Sequence, residues 1–202
     1  MPKCYSDKEK KEITASLRLA AMEAVKVKGI KKTTVDELVE AVHIPKGTFY
    51  LFYESKELLI YDAIMEQHNS MHEKLGKEFV SKKDSFTIET FTTFLVNAFT
   101  EGFNMGIIPL MMNGEMEILI RKLPDSIVSE HLKNDEDFFE IFKLIFPNLK
   151  KSSIDKYSAS FRAIFFSVMF KREIGKHFDK VIQTLIKGIV IQMWSENNDS
   201  NK

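Results

Sequence analysis

The stretch from residue 29 to 59, GIKKTTVDELVEAVHIPKGTFYLFYESKELL, constrains the fold of this chain more than any other part of it. Thr33 and Thr34 offer hydroxyls to cap a helix, and Glu37 stands three residues after Thr34 at the spacing of a capping box. Val35, Leu38, Val39 and Val42 then repeat at helical spacing over about two turns. His43-Ile44 breaks the pattern, and Pro45 has the fixed φ suited to the first turn of a new helix. That helix is expected from Pro45 to about Phe52, with Lys46, Gly47, Thr48 and Tyr50 on a solvent side. Ser55 caps the next helix. Lys56 in its first turn opposes the helix dipole, yet is well placed for an anion.

A short polar helix held at a fixed angle by its predecessor is the geometry that enters a DNA major groove. The order KGTFYLFYESKELL, following Thr33-Thr34, Leu38 and Ile44-Pro45, resembles the DNA-binding domain of TetR-type transcriptional regulators. The resemblance covers residues 8 to 60 by motif, and the remainder by length and all-helical pattern. It implies that Thr34 and Tyr50 touch phosphates. It also implies that Pro45, Lys46, Gly47 and Thr48 lie against base edges, that Lys56 pairs with the DNA backbone, and that Phe49 and Tyr53 pack inside the module. The chain departs from the family at His43, where a glycine is usual. If that turn needs φ > 0, His costs about 1 kcal/mol relative to Gly.

The net charge is zero, which alone argues against a generic nucleic-acid binder. Its distribution argues otherwise. Residues 1 to 34 carry nine basic side chains against four acidic ones, a local excess of five available to phosphates. The single Cys4 excludes an intrachain disulfide framework and fits a reducing compartment. The N-terminus lacks an apolar signal region, and no apolar run approaches the roughly 20 residues of a membrane span. A cytoplasmic location with no membrane partner is expected.

The chain reads as all-α throughout. Ser6 and Glu9 make another capping box, opening a helix that ends near Gly29 and completes a three-helix DNA-binding module with helix-turn-helix at residues 1–55. A larger helical effector-binding and dimerisation domain is expected at 56–202. It begins with a helix from Lys56 to about Val80, long enough to carry a movement into the module. A helix over about 86–103 looks apolar on nearly every side and hence buried all round. Met105 to Gly114 reads as a Gly/Pro/Met-rich break. Helices are expected at about 115–122, 125–146, 153–172 and 176–196. The last two carry an excess apolar stripe and a ridge of small residues, Ala159, Ala163 and Ser167, which points to a homodimer through them.

Seventeen Phe and ten Met are the unusual feature of the composition, and most lie beyond residue 60. Such a cluster is ordinarily core. In a TetR-like regulator the same helices enclose a pocket, and Met suits adaptable apolar binding surfaces. Phe94, Phe99, Phe103, Met112, Met116 and Phe165 are therefore the expected contacts of a small apolar effector, with Glu115, Arg121 and His131 available for polar contacts. His68 and His72 stand one turn apart on a helix, a chelating spacing, but no third ligand is evident, and no metal or cofactor is expected. The chain has no G-x-S-x-G, Walker A or G-x-G-x-x-G motif, and nothing favours catalysis or names catalytic residues. The expectation is a ligand-responsive regulator, a repressor released from a near-palindromic double-stranded operator by its effector. The alternative is a helical small-molecule carrier or enzyme with a vestigial helix-turn-helix module.

Overall fold

A computed structural model describes residues 5–105, 108–127 and 141–199. The described residues are helices and turns, with no strand among them, and no described helix is long and apolar enough to cross a membrane. The chain divides into two compact units, Met1–Asn69 with Pro109–Pro124, and Ser70–Ile108 with Asp125–Lys202.

In the first unit, α1 (Asp7–Lys32) opens on the expected capping box, Ser6 N–H donating to Glu9 Oε2 at 2.8 Å. Gly29 interrupts it with φ 82 and ψ 171, but helical turns resume to Lys32. The first helical run thus ends near Gly29, as expected, and a further turn follows the kink. α2 (Val35–Val42) carries the predicted Thr34–Glu37 box, and α3 (Lys46–Phe49) is a helix of four residues. α4 (Lys56–Lys82) begins in this unit, and its residues from Ser70 onward belong to the second. Leu17, Leu38, Phe49, Leu59, Ile60 and Ile64 are essentially inaccessible to solvent. Each contributes about 1.5–3 kcal/mol by burial, against about 0–1 for an exposed ion pair, so this core rather than surface charge holds the helices together. The region expected to be an irregular break contains α6 (Ile108–Met112), and α7 (Glu115–Ile120) follows it, packing against α1 with Leu119 fully buried.

In the second unit, α5 (Ile88–Asn104) packs against α10 (Phe178–Asp199), which also packs against α8 (Lys151–Phe166). α5 is not buried all round. Thr93, Asn97, Thr100 and Asn104 form one exposed stripe, with the Thr93 and Thr100 hydroxyls donating to the preceding turn at 3.0 and 2.9 Å. These threonine hydroxyls satisfy themselves locally and tolerate water. The helix expected over 153–172 ends at Phe166 and continues as a tight 3-10 turn, Ser167–Phe170, and then α9 (Lys171–Ile174). Most of the helix expected at 125–146 lies outside the described residues, and its described end, Ile141–Leu144, is a 3-10 turn. The core of this unit is aromatic, with Phe79, Phe91, Phe142 and Phe146 buried and Trp194 edge-on to Phe146 at 4.8 Å between ring centroids.

Candidate nucleic-acid interface

The turn between α2 and α3 sets the angle of the short helix. His43 adopts φ 57, ψ 43, the left-handed conformation for which a glycine is usual. Its N–H donates to Glu40 O at 3.1 Å and Ile44 N–H to Val39 O at 3.0 Å, the paired bonds of a Schellman cap. Pro45 sits at the N-cap of α3 rather than inside it, with φ −63, and its carbonyl accepts from Thr48 N–H at 2.8 Å. Beyond Phe49 the chain continues in tight turns, Leu51 N–H to Thr48 O at 3.1 Å and Tyr53 N–H to Phe49 O at 3.0 Å, so the helical character expected up to Phe52 survives as turns.

Lys46, Gly47 and Tyr50 are exposed, as expected of the solvent side of this helix, and Pro45 is exposed beside them. Thr48 is not with them. It is only 8% exposed, and its Oγ1 lies 3.4 Å from the hydroxyl of Tyr5, whose ring also packs against Phe52. Phe49 is fully buried, and Tyr53 donates its hydroxyl to Asp62. Asp62 also receives a two-pronged bond from Arg18 at 2.7 and 2.9 Å, joining α1, the turn and α4 in one cluster.

Charge on this surface is partly neutralised from within. Lys46 Nζ lies 2.9 Å from Asp36 Oδ1, and this pairing raises the lysine pKa. Lys28 and the hydroxyl and amide of Thr34 hold the Glu37 carboxyl down to about 2. Lys31 and Lys32 remain exposed and make no ion pair among the described residues. Lys56 does not project free. Its ammonium donates to the carbonyls of Thr33 at 2.6 Å, Ile30 at 3.1 Å and Lys31 at 3.4 Å, capping the end of α1. Asp36 and Tyr5 escaped sequence reasoning because their partners are 10 and 43 residues away, at distances no local pattern reports.

Of the expected effector contacts, Phe99, Phe103 and Phe165 meet in the second unit, with ring centroids 5.4–6.5 Å apart. Gly102 lets them close up, since a Cβ there would stand 3.3 Å from the Phe165 ring. Phe94 joins a neighbouring cluster with Phe79 and Phe86 instead. Met112, 56% exposed, and Met116 belong to the first unit. Glu115 is engaged with the backbone of α1 and Arg121 with Glu117, while His131 lies outside the described residues.

A left-handed turn, a four-residue helix with an exposed Pro-Lys-Gly edge and a third helix packed behind it define a helix-turn-helix DNA-binding protein. Residues 17–62 match the family described as bacterial regulatory proteins, tetR family, so this segment is similar to the DNA-binding module of TetR-type regulators. Two solved structures share the fold over nearly their whole length. A TetR transcriptional regulator from Rhodococcus sp. RHA1 is 15% identical, with TM-score 0.53, covering 90% of this chain and 97% of its own. The fatty acid degradation regulator FadR from Bacillus halodurans is 15% identical, with TM-score 0.55, covering 93% and 97%. No curated protein matches the sequence.

Proposed function

We propose that this chain is a homodimeric repressor that reads a near-palindromic operator through Pro45, Lys46, Gly47 and Tyr50, is anchored to phosphate at Thr34, and is released by a small apolar effector. The observation that carries the reading is Gly47. It sits inside a helix at an exposed position where an added Cβ would meet nothing within 4 Å, and its φ is not positive. Glycine there costs roughly 0.5–1 kcal/mol of helix stability, and neither packing nor conformation within the chain asks for it. Close approach of an external surface does. The burial of Thr48 and the triple engagement of Lys56 favour supporting roles for both: Thr48 under Tyr5 fixes the pitch of α3, and Lys56 closes the corner between α1 and α4.

Dimerisation is supported by the exposed apolar side chains on the last helices. Phe166 is 47% exposed, Leu185 45% and Ile191 46%, and Ala159 and Ala163 lie exposed on α8 and permit close helix approach. The effector reading rests on the Phe99, Phe103 and Phe165 cluster, whose lining is apolar. Labelled DNA from upstream of the chain's own gene, titrated at several salt concentrations, tests the DNA reading, with light scattering giving the oligomeric state. A dimer of two 23.4 kDa chains and an affinity falling steeply with salt are expected. Screening fatty acyl compounds, lipophilic cations and aromatic drugs for raised thermal stability, and then for operator release, tests the effector. A monomer, or salt-insensitive binding, contradicts the proposal.

A further inference from the structure

The end of α1 is held from two sides by groups remote in sequence. From the α4 side, Lys56 takes the carbonyls of Ile30, Lys31 and Thr33, and the Thr33 hydroxyl closes back on Gly29 O at 2.8 Å. From the other side, the carboxylate of Glu115, the first residue of α7, accepts the N–H of Ile30 across 85 residues of sequence. That N–H faces outward because Gly29, with φ +82, breaks the helical ladder one residue earlier. Gly29 serves the contact twice. Its conformation suits glycine, and a Cβ on it would stand 2.5, 2.6 and 2.9 Å from Glu115 Oε1, Oε2 and Cδ. The backbone notch and the carboxylate are shaped to each other. Farther along the same segment, Lys122 Nζ pairs with Glu57 of α4 at 2.7 Å.

The few residues between notch and α2 matter for the interface already described. Lys31 and Lys32 are exposed and make no ion pair among the described residues, and Thr34 caps α2. We propose that Glu115 is a positioning residue for operator binding: its bond to the Ile30 amide fixes the path of residues 30–34, and with it the placement of Lys31, Lys32 and Thr34 against phosphate. The DNA-binding part of the chain then includes a segment far beyond the 17–62 match, and anything that moves α7 is felt at the α2 N-terminus. This inference rests on the DNA-binding reading above.

The test uses the full chain. Glu115→Ala, Glu115→Gln, Gly29→Ala and Lys122→Ala are compared with wild type in operator titrations at several salt concentrations and in hydrogen exchange. Glu115→Ala should weaken operator binding by about tenfold, the scale of one lost charge-assisted hydrogen bond, and speed amide exchange at residues 30–35. Gly29→Ala should reproduce both effects by displacing the carboxylate. Glu115→Gln keeps an acceptor oxygen and should restore most of the affinity. Lys122→Ala cuts the neighbouring tie on the same segment and should leave operator affinity unchanged, which separates positioning from general loosening. Glu115→Ala that binds as wild type does, while wild type binds with steep salt dependence, overturns the inference and leaves the DNA reading intact. If wild type itself binds no DNA, the DNA reading fails and the positioning role with it; unchanged exchange at residues 30–35 in Glu115→Ala would further show that the bond does not order the segment.

Discussion

Replacing Lys56 by Met keeps the length and much of the apolar stem of the side chain and removes the ammonium, so it isolates what that charge does. In the structure the ammonium donates to the part-buried carbonyls of Thr33 and Ile30 at 2.6 and 3.1 Å, and reaches Lys31 O at 3.4 Å in an exposed position. Bonds to a charged group contribute about 1.5–3 kcal/mol each, and the long exposed one adds little. Two bonds at the lower end, discounted because water reaches the freed carbonyls, give a loss of about 2–3 kcal/mol. With a urea slope of about 2 kcal/mol per M, the unfolding midpoint should fall by about 1 M or slightly more. Operator affinity should fall as the corner between α1 and α4 loosens, while its salt dependence stays the same. A lysine that neutralised a phosphate would behave oppositely, lowering the slope of log K against log salt by about 0.9 with stability unchanged. An unaltered midpoint together with that shallower slope would refute the capping role.

His43→Gly should stabilise the protein. It removes about 1–2 kcal/mol of left-handed strain and returns about 0.4–1 to the unfolded chain, a net gain of roughly 0.5–1 kcal/mol, or about 1–4 °C in Tm. His43→Ala retains the Cβ and should show no gain in the same calorimetric comparison. Glu196 is bound by the Ser153 hydroxyl, by Tyr157 at 2.7 Å and by Lys156 at 3.1 Å, and the Ser153 bond leads in holding its carboxyl down from 4.5 to about 2. A folded pKa below the unfolded one contributes stability that is complete above about 4.5 and lost as pH falls toward about 2. Glu196→Gln should therefore flatten the acid limb of a stability-against-pH curve over that interval, and an unchanged limb would show the cluster does not hold the helices.

The helix-turn-helix was legible because its signals are local: capping boxes at Ser6 and Thr34, the Ile44-Pro45 break and the short spacing to Ser55 all act within one or two turns. His43 was legible as the point of strain for the same reason, and the structure puts it in the left-handed region. What the sequence hid were contacts closed by the fold. Nothing local to Lys56 announces the three carbonyls it meets at the end of α1. Thr48 is expected on the exposed side of its helix, and its burial beside Tyr5 comes from a partner 43 residues away. Glu115 looked like a pocket residue, and its partner is an amide exposed only because Gly29 turns the backbone. The exposed stripe of α5, Thr93, Asn97, Thr100 and Asn104, consists of polar residues at helical spacing that a count of its apolar positions passes over. Met112 and Met116 were grouped with the phenylalanines on composition alone, and composition does not record which compact unit a side chain joins.

Operator binding by Gly47→Leu tests the central claim most directly. The site is open, with nothing within 4 Å of an added Cβ, so the variant should fold at least as stably as wild type, with a gain of up to about 1 kcal/mol from helix propensity. Fluorescence anisotropy with labelled upstream DNA at fixed salt should nonetheless show specific binding lost, because in the proposed complex the new side chain would stand where α3 meets the groove floor. Wild-type affinity for the same DNA in a fully folded Gly47→Leu protein would contradict the claim that this helix reads DNA.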